Sequence, residues 1–175
     1  MPNMPPSAMW TDGMNLLARR HSAMHSGTDV NDGVDMQAYD PQNIFAKILR
    51  GEIPCHKVFE DEVALAFMDI MPRCDGHLLV IPKAPSRGLL DANPEALGAL
   101  MLRVQKVAAA AVKAFAADGL TVQQFNESAG GQLVFHLHFH ILPRKNGISL
   151  RPHTGEMADK DVLTAQAERI KAALE

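Results

Sequence analysis

Apolar residues and histidines alternate strictly over residues 135–142, which read Phe-His-Leu-His-Phe-His-Ile-Leu. Successive side chains of a β-strand point to opposite faces, so this pattern predicts a strand with one face in the core and one face of histidines. The apolar positions are Phe135, Leu137, Phe139 and Ile141, and the histidines are His136, His138 and His140. Three histidines in strict alternation are uncommon in a purely structural strand, so this segment is the candidate functional one.

A short amphipathic helix is predicted before Gly51. Asp40-Pro41 offers an N-cap followed by proline at the first helical position, and Gly51 fits the position just after the last turn. The apolar residues that recur at helical spacing are Ile44, Phe45, Ile48 and Leu49.

Five strands and two further helices are predicted in the rest of the chain. The strands are expected at residues 56–60, 63–68, 77–82, 121–126 and 135–142. A long helix is expected from Asn93-Pro94 to about residue 117, and a final amphipathic helix at residues 161–174. This order, with hairpin-length connections, predicts an α+β domain: a five-stranded antiparallel sheet with a long helix and a short N-terminal helix.

Composition narrows the functional classes. With 175 residues and 47% hydrophobic content the chain can form one domain with a substantial core. The net charge of −3 argues against a general nucleic-acid or acidic-membrane binder. Cys55 and Cys74 form no metal or redox pattern, and no apolar run approaches the about 20 residues of a membrane span. We therefore expect a soluble, cytoplasmic protein.

Residues 1–39 differ in composition from the rest, with a polar run at residues 26–33. We expect a disordered or loosely ordered extension there and a domain at residues 40–175, with its core at 43–145. A translation start at Met36 is an alternative explanation of this segment.

The histidine row alone does not form a single metal site. At roughly 3.3 Å per residue the outer histidines stand roughly 13 Å apart at the backbone, whereas zinc needs nitrogens at about 2.0–2.1 Å. Two neighbours could share one ion only with ligands from elsewhere, and no Cys or Glu stands at a suggestive spacing. We expect no metal and no cofactor. Imidazoles that titrate near neutral pH suit a nucleophile with flanking anion contacts.

Gly130-Gly131 precedes the histidine strand. Glycines let backbone N–H groups approach an anion closely, and Asn126 and Gln132 can add neutral donors. Together with the histidines these residues predict a phosphate-binding site, although the glycine pair taken alone is more typical of a simple turn.

Residues 136–142 fit the pattern His-φ-His-φ-His-φ-φ, and further matching blocks stand at residues 43–54, 67–70, 76–83 and 126–132. In these blocks the chain resembles the histidine triad (HIT) family, in particular its Hint-like bacterial members. The resemblance covers about residues 43–144 and implies a HIT-like fold.

The resemblance implies nucleotide hydrolysis or nucleotidyl transfer at an α-phosphate, through a covalent nucleotidyl-histidine. His138 would be the nucleophile, and His136 and His140 would orient it, bind phosphate oxygens or assist proton transfer. The implied phosphate-site residues are His77, Asn126, Gly131 and Gln132. The implied nucleoside-site residues are Ile44, Phe45, Ile48, Ile53 and Asp69, of which Asp69 would take the ribose hydroxyls. From spacing alone, the four apolar residues could equally be plain core, and Asp69 a loop cap.

Leu133 stands where Hint-like proteins commonly carry Ser or Thr, and leucine cannot donate a hydrogen bond. The basic pair Arg144-Lys145 could meet a second phosphate, or form a solvated turn. The expected activity is a purine nucleoside phosphoramidase. The alternatives are a dinucleoside polyphosphate hydrolase or a non-catalytic nucleotide-binding adaptor. Expected partners are a purine nucleotide and a second copy of the chain, with no nucleic acid or membrane.

Overall fold

The computed structural model describes residues 38–152 and 156–175. The predicted extension at residues 1–39 and the alternative start at Met36 therefore lie outside the described residues, apart from residues 38 and 39. None of the described helices is long and apolar enough to cross a membrane.

Five strands form one antiparallel sheet in the order β1-β2-β3-β5-β4. The strands are β1 Lys57–Glu60, β2 Ala64–Met68, β3 Leu78–Pro82, β4 Gly119–Gln123 and β5 Phe139–Arg144. The helices are α1 Ile44–Leu49, α2 Pro94–Phe115 and α3 Lys160–Leu174, with a 3-10 turn at Ser128–Gly130. The predicted α+β fold with a long helix and a short N-terminal helix is confirmed.

The two faces of the sheet carry separate hydrophobic clusters. On one face α2 packs through Leu100, Val104 and Val107, and α3 joins the same cluster. On the other face Phe45 of α1 packs with residues of β2 and β3; the members are Phe45, Leu65, Phe67, Leu79 and Ile81. The alternation predicted for the histidine segment follows this division, since Leu137, Phe139 and Ile141 lie in the α2 cluster.

Two predicted boundaries are wrong. Helix α1 is capped by Asn43, whose Oδ1 accepts from Ala46 N at 2.9 Å, and not by Asp40. Asp40 instead forms the turn before the helix, where its carboxylate accepts from Gln42 N. Strand β4 ends at Gln123, so Asn126 follows the strand.

The histidine strand is also shorter than predicted, because β5 begins at Phe139 and residues 135–138 precede it. Pro82 ends β3 and has no N–H to continue the ladder. The chain is held instead by Leu137 N, which donates to Ser86 O at 2.8 Å. Phe135 lies outside the predicted core: it is half-buried, with the Arg87 guanidinium 4.0 Å above its ring.

Candidate active site

A cavity of about 590 Å³ opens on the sheet face that carries the histidines. One wall comes from α1, a second from the end of β2, and a third from the loop that follows Ser128–Gly130. The fourth wall comes from the C-terminal segment, which supplies Met157, Ala158, Lys160 and Leu163. His138 and His140 line the cavity between these walls.

His138 is 5% exposed and lies edge-on to Phe45, with ring centroids 5.2 Å apart. Its Nδ1 stands 2.6 Å from the backbone oxygen of His136. A carbonyl oxygen only accepts hydrogen bonds, so Nδ1 carries the proton and Nε2 carries the lone pair of the neutral ring. The backbone of the segment thus fixes the tautomer in which Nε2 can attack an electrophile.

His136 is fully buried, and both its nitrogens are bonded within the chain. Nε2 donates to Pro82 O at 3.0 Å, and Nδ1 accepts from the Tyr39 hydroxyl at 2.8 Å. Burial lowers the pKa of His136 from 6.5 to about 4; the Pro82 hydrogen bond opposes this shift and the nearby His138 adds to it. The expectation that this histidine titrates near neutral pH is wrong, and it does not line the cavity.

His140 is oriented by a chain of hydrogen bonds. The backbone N–H of Arg73 donates to Nδ1 of His77 at 3.1 Å, so neutral His77 carries its proton on Nε2. That nitrogen lies 2.9 Å from Nδ1 of His140, which must accept. In the neutral ring His140 then carries its proton on Nε2, the opposite tautomer to His138.

Asp69 lies beside this pair, with Oδ2 3.5 Å from His77 Nε2 and 3.8 Å from His140 Nδ1. One ligand atom from each of the three residues lies within 4.8 Å of the others. These donors suit a divalent cation, which would have to replace the His77–His140 hydrogen bond. Spacing along the histidine row does not reveal Asp69 and His77 as converging partners, because only the folded sheet brings them together.

The loop at residues 127–132 is internally bonded. The N–H groups of Gly130 and Gln132 donate to Glu127 O, and that of Gly131 donates to Ser128 O. The backbone donors expected to face an anion are thus used inside the loop. Gly131 does line the cavity, in a left-handed conformation with φ of 90°.

Gln132 and Asn126 also use their side chains within the chain. Gln132 is 2% exposed; its Oε1 accepts from Glu127 N, and its Nε2 donates to Arg87 O and Val134 O. The Asn126 Oδ1 accepts from Leu89 N at 2.8 Å. Neither residue lines the cavity. Both hold the loop in place, and their predicted contact with phosphate stays a prediction.

An ion pair that the sequence did not reveal fixes the same loop. The buried Arg87 guanidinium donates to both carboxylate oxygens of Glu127, at 2.6 and 2.9 Å. This hydrogen bonding holds the pKa of Glu127 below its usual range. Glu127 has φ of 57°, a conformation that non-glycine residues rarely adopt. The pair therefore stabilises a strained turn directly before the histidine segment.

Most predicted nucleoside-site residues meet at the cavity. Ile44, Phe45, Ile48 and Asp69 all line it, whereas Ile53 does not. The sequence did not assign Phe67, Ile70 and Leu79 to this site, although each belongs to a predicted strand or its end. The C-terminal wall was missed because a helical pattern does not reveal which cavity the helix borders.

The basic pair lies away from the histidines. Arg144 donates to Thr121 Oγ1 and Ile148 O, and Lys145 donates to Ala116 O. Neither lines the cavity, and the contact of this pair with a second phosphate stays a prediction. Leu133 does line the cavity, with 69% of its surface exposed.

The HIT domain family model matches residues 50–147 of this chain. The chain belongs to the HIT family. The HIT-like protein of Bartonella henselae has a solved structure with a TM-score of 0.75 and 55% identity, covering 78% of this chain and 99% of that one.

Two named relatives of this HIT-family chain are enzymes. Adenylylsulfatase HINT3 of Arabidopsis thaliana is 36% identical over 126 residues, 72% of this chain and 64% of that protein. The adenosine 5′-monophosphoramidase hnt1 of Schizosaccharomyces pombe is 40% identical over 103 residues, 59% of this chain and 74% of that protein. The match thus spans less than two thirds of the Arabidopsis protein. Their names support a nucleotide hydrolase or transferase for the family to which this chain belongs.

Proposed function

We propose that this HIT-family chain hydrolyses purine nucleoside phosphoramidates and releases the nucleoside monophosphate through a covalent nucleotidyl-His138. The observation that carries the proposal is the tautomer of His138, which places the Nε2 lone pair on a buried ring that lines a cavity. The activity named for the Schizosaccharomyces relative supports the same reaction.

In the first step Nε2 of His138 attacks the α-phosphorus and the P–N bond to the leaving amine breaks. The electron pair of that bond goes to the leaving nitrogen, which takes the Nε2 proton of His140 in its protonated, positively charged form. His140 becomes neutral and the leaving group departs as a neutral amine. The nucleotidylated ring of His138 then carries a positive charge. The Nδ1–H bond to His136 O becomes charge-assisted and stabilises it.

In the second step water attacks the phosphorus of the nucleotidyl-histidine. The P–Nε2 bond breaks, its electron pair returns to Nε2 of His138, and the proton of the water restores Nε2–H on His140. The products are the nucleoside monophosphate and the regenerated histidines. His77 assists by holding the His140 ring through Nδ1 at 2.9 Å, so that Nε2 of His140 gives and regains this proton.

Substrate binding follows from the cavity walls. Ile44, Phe45 and Ile48 form an apolar slot for the base, and Asp69 accepts hydrogen bonds from the ribose hydroxyls. His136 supports His138 through its backbone oxygen from behind the cavity. The proposed roles of Gly131 and Gln132 are to shape the phosphate side of the cavity, and that of Asn126 is to anchor this loop.

We also propose that the chain forms a homodimer through β4. This strand lies at the edge of the sheet, and Leu120 and Val122 on it are 38% and 44% exposed. An apolar edge strand is a template for pairing with another strand. Light scattering should give twice the chain mass for the wild type and the chain mass for Val122→Lys; one chain mass for the wild type contradicts the dimer.

The reaction is tested by offering the purified protein adenosine phosphoramidate, diadenosine tetraphosphate and ADP. Wild type should release AMP from the phosphoramidate, and intact-mass analysis of a rapid quench should show one AMP added at His138. His138→Ala should form no adduct and no AMP, with a melting temperature near that of wild type as the control. Nucleotide binding without turnover of any substrate would support an adaptor instead. Hydrolysis that survives in His138→Ala would refute the nucleophile.

A further inference from the structure

Among the described residues, five large apolar side chains stand exposed around the mouth of the histidine cavity. Leu133 and Met157 are 69% and 68% exposed, and three others lie between 38% and 45%. These three are Ile44, Ile70 and Met71. A single exposed apolar side chain is ordinary, but a group around one cavity marks a surface that binds an apolar ligand. We call these five residues the apolar rim.

The rim lies where a leaving group would go. His138 is only 5% exposed, whereas the rim residues face solvent, so the nucleophile lies deep and the rim lies at the opening. In an in-line displacement the leaving group departs on the side opposite the attacking atom. A group that leaves an α-phosphorus attacked by His138 therefore points out of the cavity and across the rim.

Leu133 belongs to the histidine side of this opening. Its neighbours are fixed: Gln132 is buried, and Val134 O accepts both Gln132 Nε2 and His136 N. The same loop places Gly131 beside Phe125, whose ring centroid lies 5.7 Å from that of His140. A leucine with a fixed backbone and an exposed side chain thus lines the same cavity as His138 and His140.

The charges around the cavity also favour an apolar leaving group. Within residues 38–152 and 156–175, Lys160 is the only Lys or Arg that lines the cavity, while Asp69 adds a carboxylate. Arg144 and Lys145 are engaged elsewhere. A polyphosphate leaving group with several negative charges would find few cations here, whereas an alkyl or aryl group would remove the rim from water.

We propose that the apolar rim binds the leaving group and that Leu133 determines its specificity, so that the preferred substrates are nucleoside phosphoramidates of apolar amines. This inference rests on the proposed function, because it names the substrate class of the same site. Ile44 also borders the slot for the base, and the other four rim residues take the alkyl or aryl body of the amine. Leu133 has no hydrogen-bonding group and therefore selects against polar leaving groups.

The test compares adenosine phosphoramidates of two amines of equal length, hexylamine and its analogue that ends in a carboxylate. Wild type should favour the hexyl substrate by about tenfold in kcat/KM, as expected for covering a few methylene groups. Leu133→Ala should reduce this preference to about twofold. Leu102→Ala is the matched control, since Leu102 is 63% exposed on α2 and does not line this cavity, and it should keep the wild-type preference.

A second measurement tests ligand binding at the rim independently of the reaction at His138. Calorimetry on His138→Ala, which does not turn the substrates over, should give the same order of Kd for the two compounds. A preference in binding without turnover in wild type would refute the proposed reaction and leave the rim inference standing. Equal Kd and kcat/KM values, or a preference unchanged in Leu133→Ala, would overturn the inference.

The same variants distinguish the apolar leaving group from two other occupants of the rim: a second copy of the chain and an anionic leaving group. A change of mass by light scattering in Leu133→Ala, with the preference unchanged, would make the rim a contact between copies of the chain and overturn the proposal. Faster turnover of the carboxylate analogue, lost in Lys160→Ala, would show that the site selects anionic leaving groups and would overturn it too.

Discussion

His136 and His138 stand two residues apart on the same face of the chain, and both are buried, yet their surroundings differ. His136 has both nitrogens bonded, to the Tyr39 hydroxyl and to Pro82 O. His138 has Nδ1 bonded to a backbone oxygen, and its ring lines a cavity. The comparison shows that alternation in sequence assigns a face, whereas the partner of each ring nitrogen decides which histidine can react.

Alanine substitution should give the largest difference between the two histidines, in kcat and in the free energy of unfolding. His138→Ala should lower kcat for adenosine phosphoramidate by at least about a thousandfold and change the unfolding free energy by about 1 kcal/mol. His136→Ala should cost about 3 to 4 kcal/mol of stability, because it leaves Tyr39 and Pro82 O facing a cavity. Its folded fraction should keep kcat within about tenfold of wild type. Steady-state kinetics and urea unfolding measure both quantities, and equal losses of kcat would contradict the distinction.

The low pKa of His136 predicts how stability depends on pH. The unfolded chain binds a proton at this residue near pH 6.5, whereas the folded chain does so only near pH 4. Stability is therefore lost as pH falls through this window, by about 3 kcal/mol in total and about 2 kcal/mol by pH 5. Urea unfolding at pH 7 and pH 5 should show this loss in wild type and a smaller one in His136→Gln. The same loss in both proteins would assign it to other groups.

Tyr39→Phe should have a smaller effect on stability and tests the same difference between His136 and His138. The substitution removes the hydroxyl that donates to Nδ1 of His136 and keeps the ring that packs against it. The expected cost is about 1 kcal/mol in the free energy of unfolding, with unchanged kcat. A large loss of kcat would show that His136 takes part in the chemistry after all.

Leu133→Ser has the smallest expected effect. It introduces a hydroxyl at the cavity that His138 and His140 line and should raise turnover of unsubstituted adenosine phosphoramidate about threefold, because a hydroxyl can donate a hydrogen bond to the leaving nitrogen. Leu133→Ala is the control that removes the leucine without adding a donor. Equal rates in the two variants would mean that the hydroxyl is irrelevant.

The sheet could be predicted from sequence because strand patterns extend over whole elements. All five strands and three helices lie close to their predicted positions. One error stands where a contact distant in sequence decides, and another where two possible caps compete within one turn. Strand β5 starts at Phe139 because Pro82 ends the neighbouring strand, and the cap of α1 moves to Asn43 because Asp40 forms the preceding turn.

The site was predictable in its residues more than in its contacts. Residues His138, Asp69 and Phe45 meet at one cavity as expected. The opposite tautomers of His138 and His140 could not be predicted, since they depend on the His136 oxygen and on His77. The C-terminal wall could not be predicted either, because it is fixed by Ala158 N donating to Ile70 O across the fold.

Strand β5 lies between β3 and β4, so His140 is flanked by a bonded neighbour on each side. Backbone groups in such a central strand exchange with solvent hydrogen mainly when the whole sheet opens, whereas a loop can open by itself. The loop at residues 127–134 and the histidine strand therefore belong to different opening events. The exposed side chain of Leu133 can therefore adjust to successive leaving groups, while His140, which supplies the proton, keeps its backbone pairing until the sheet opens.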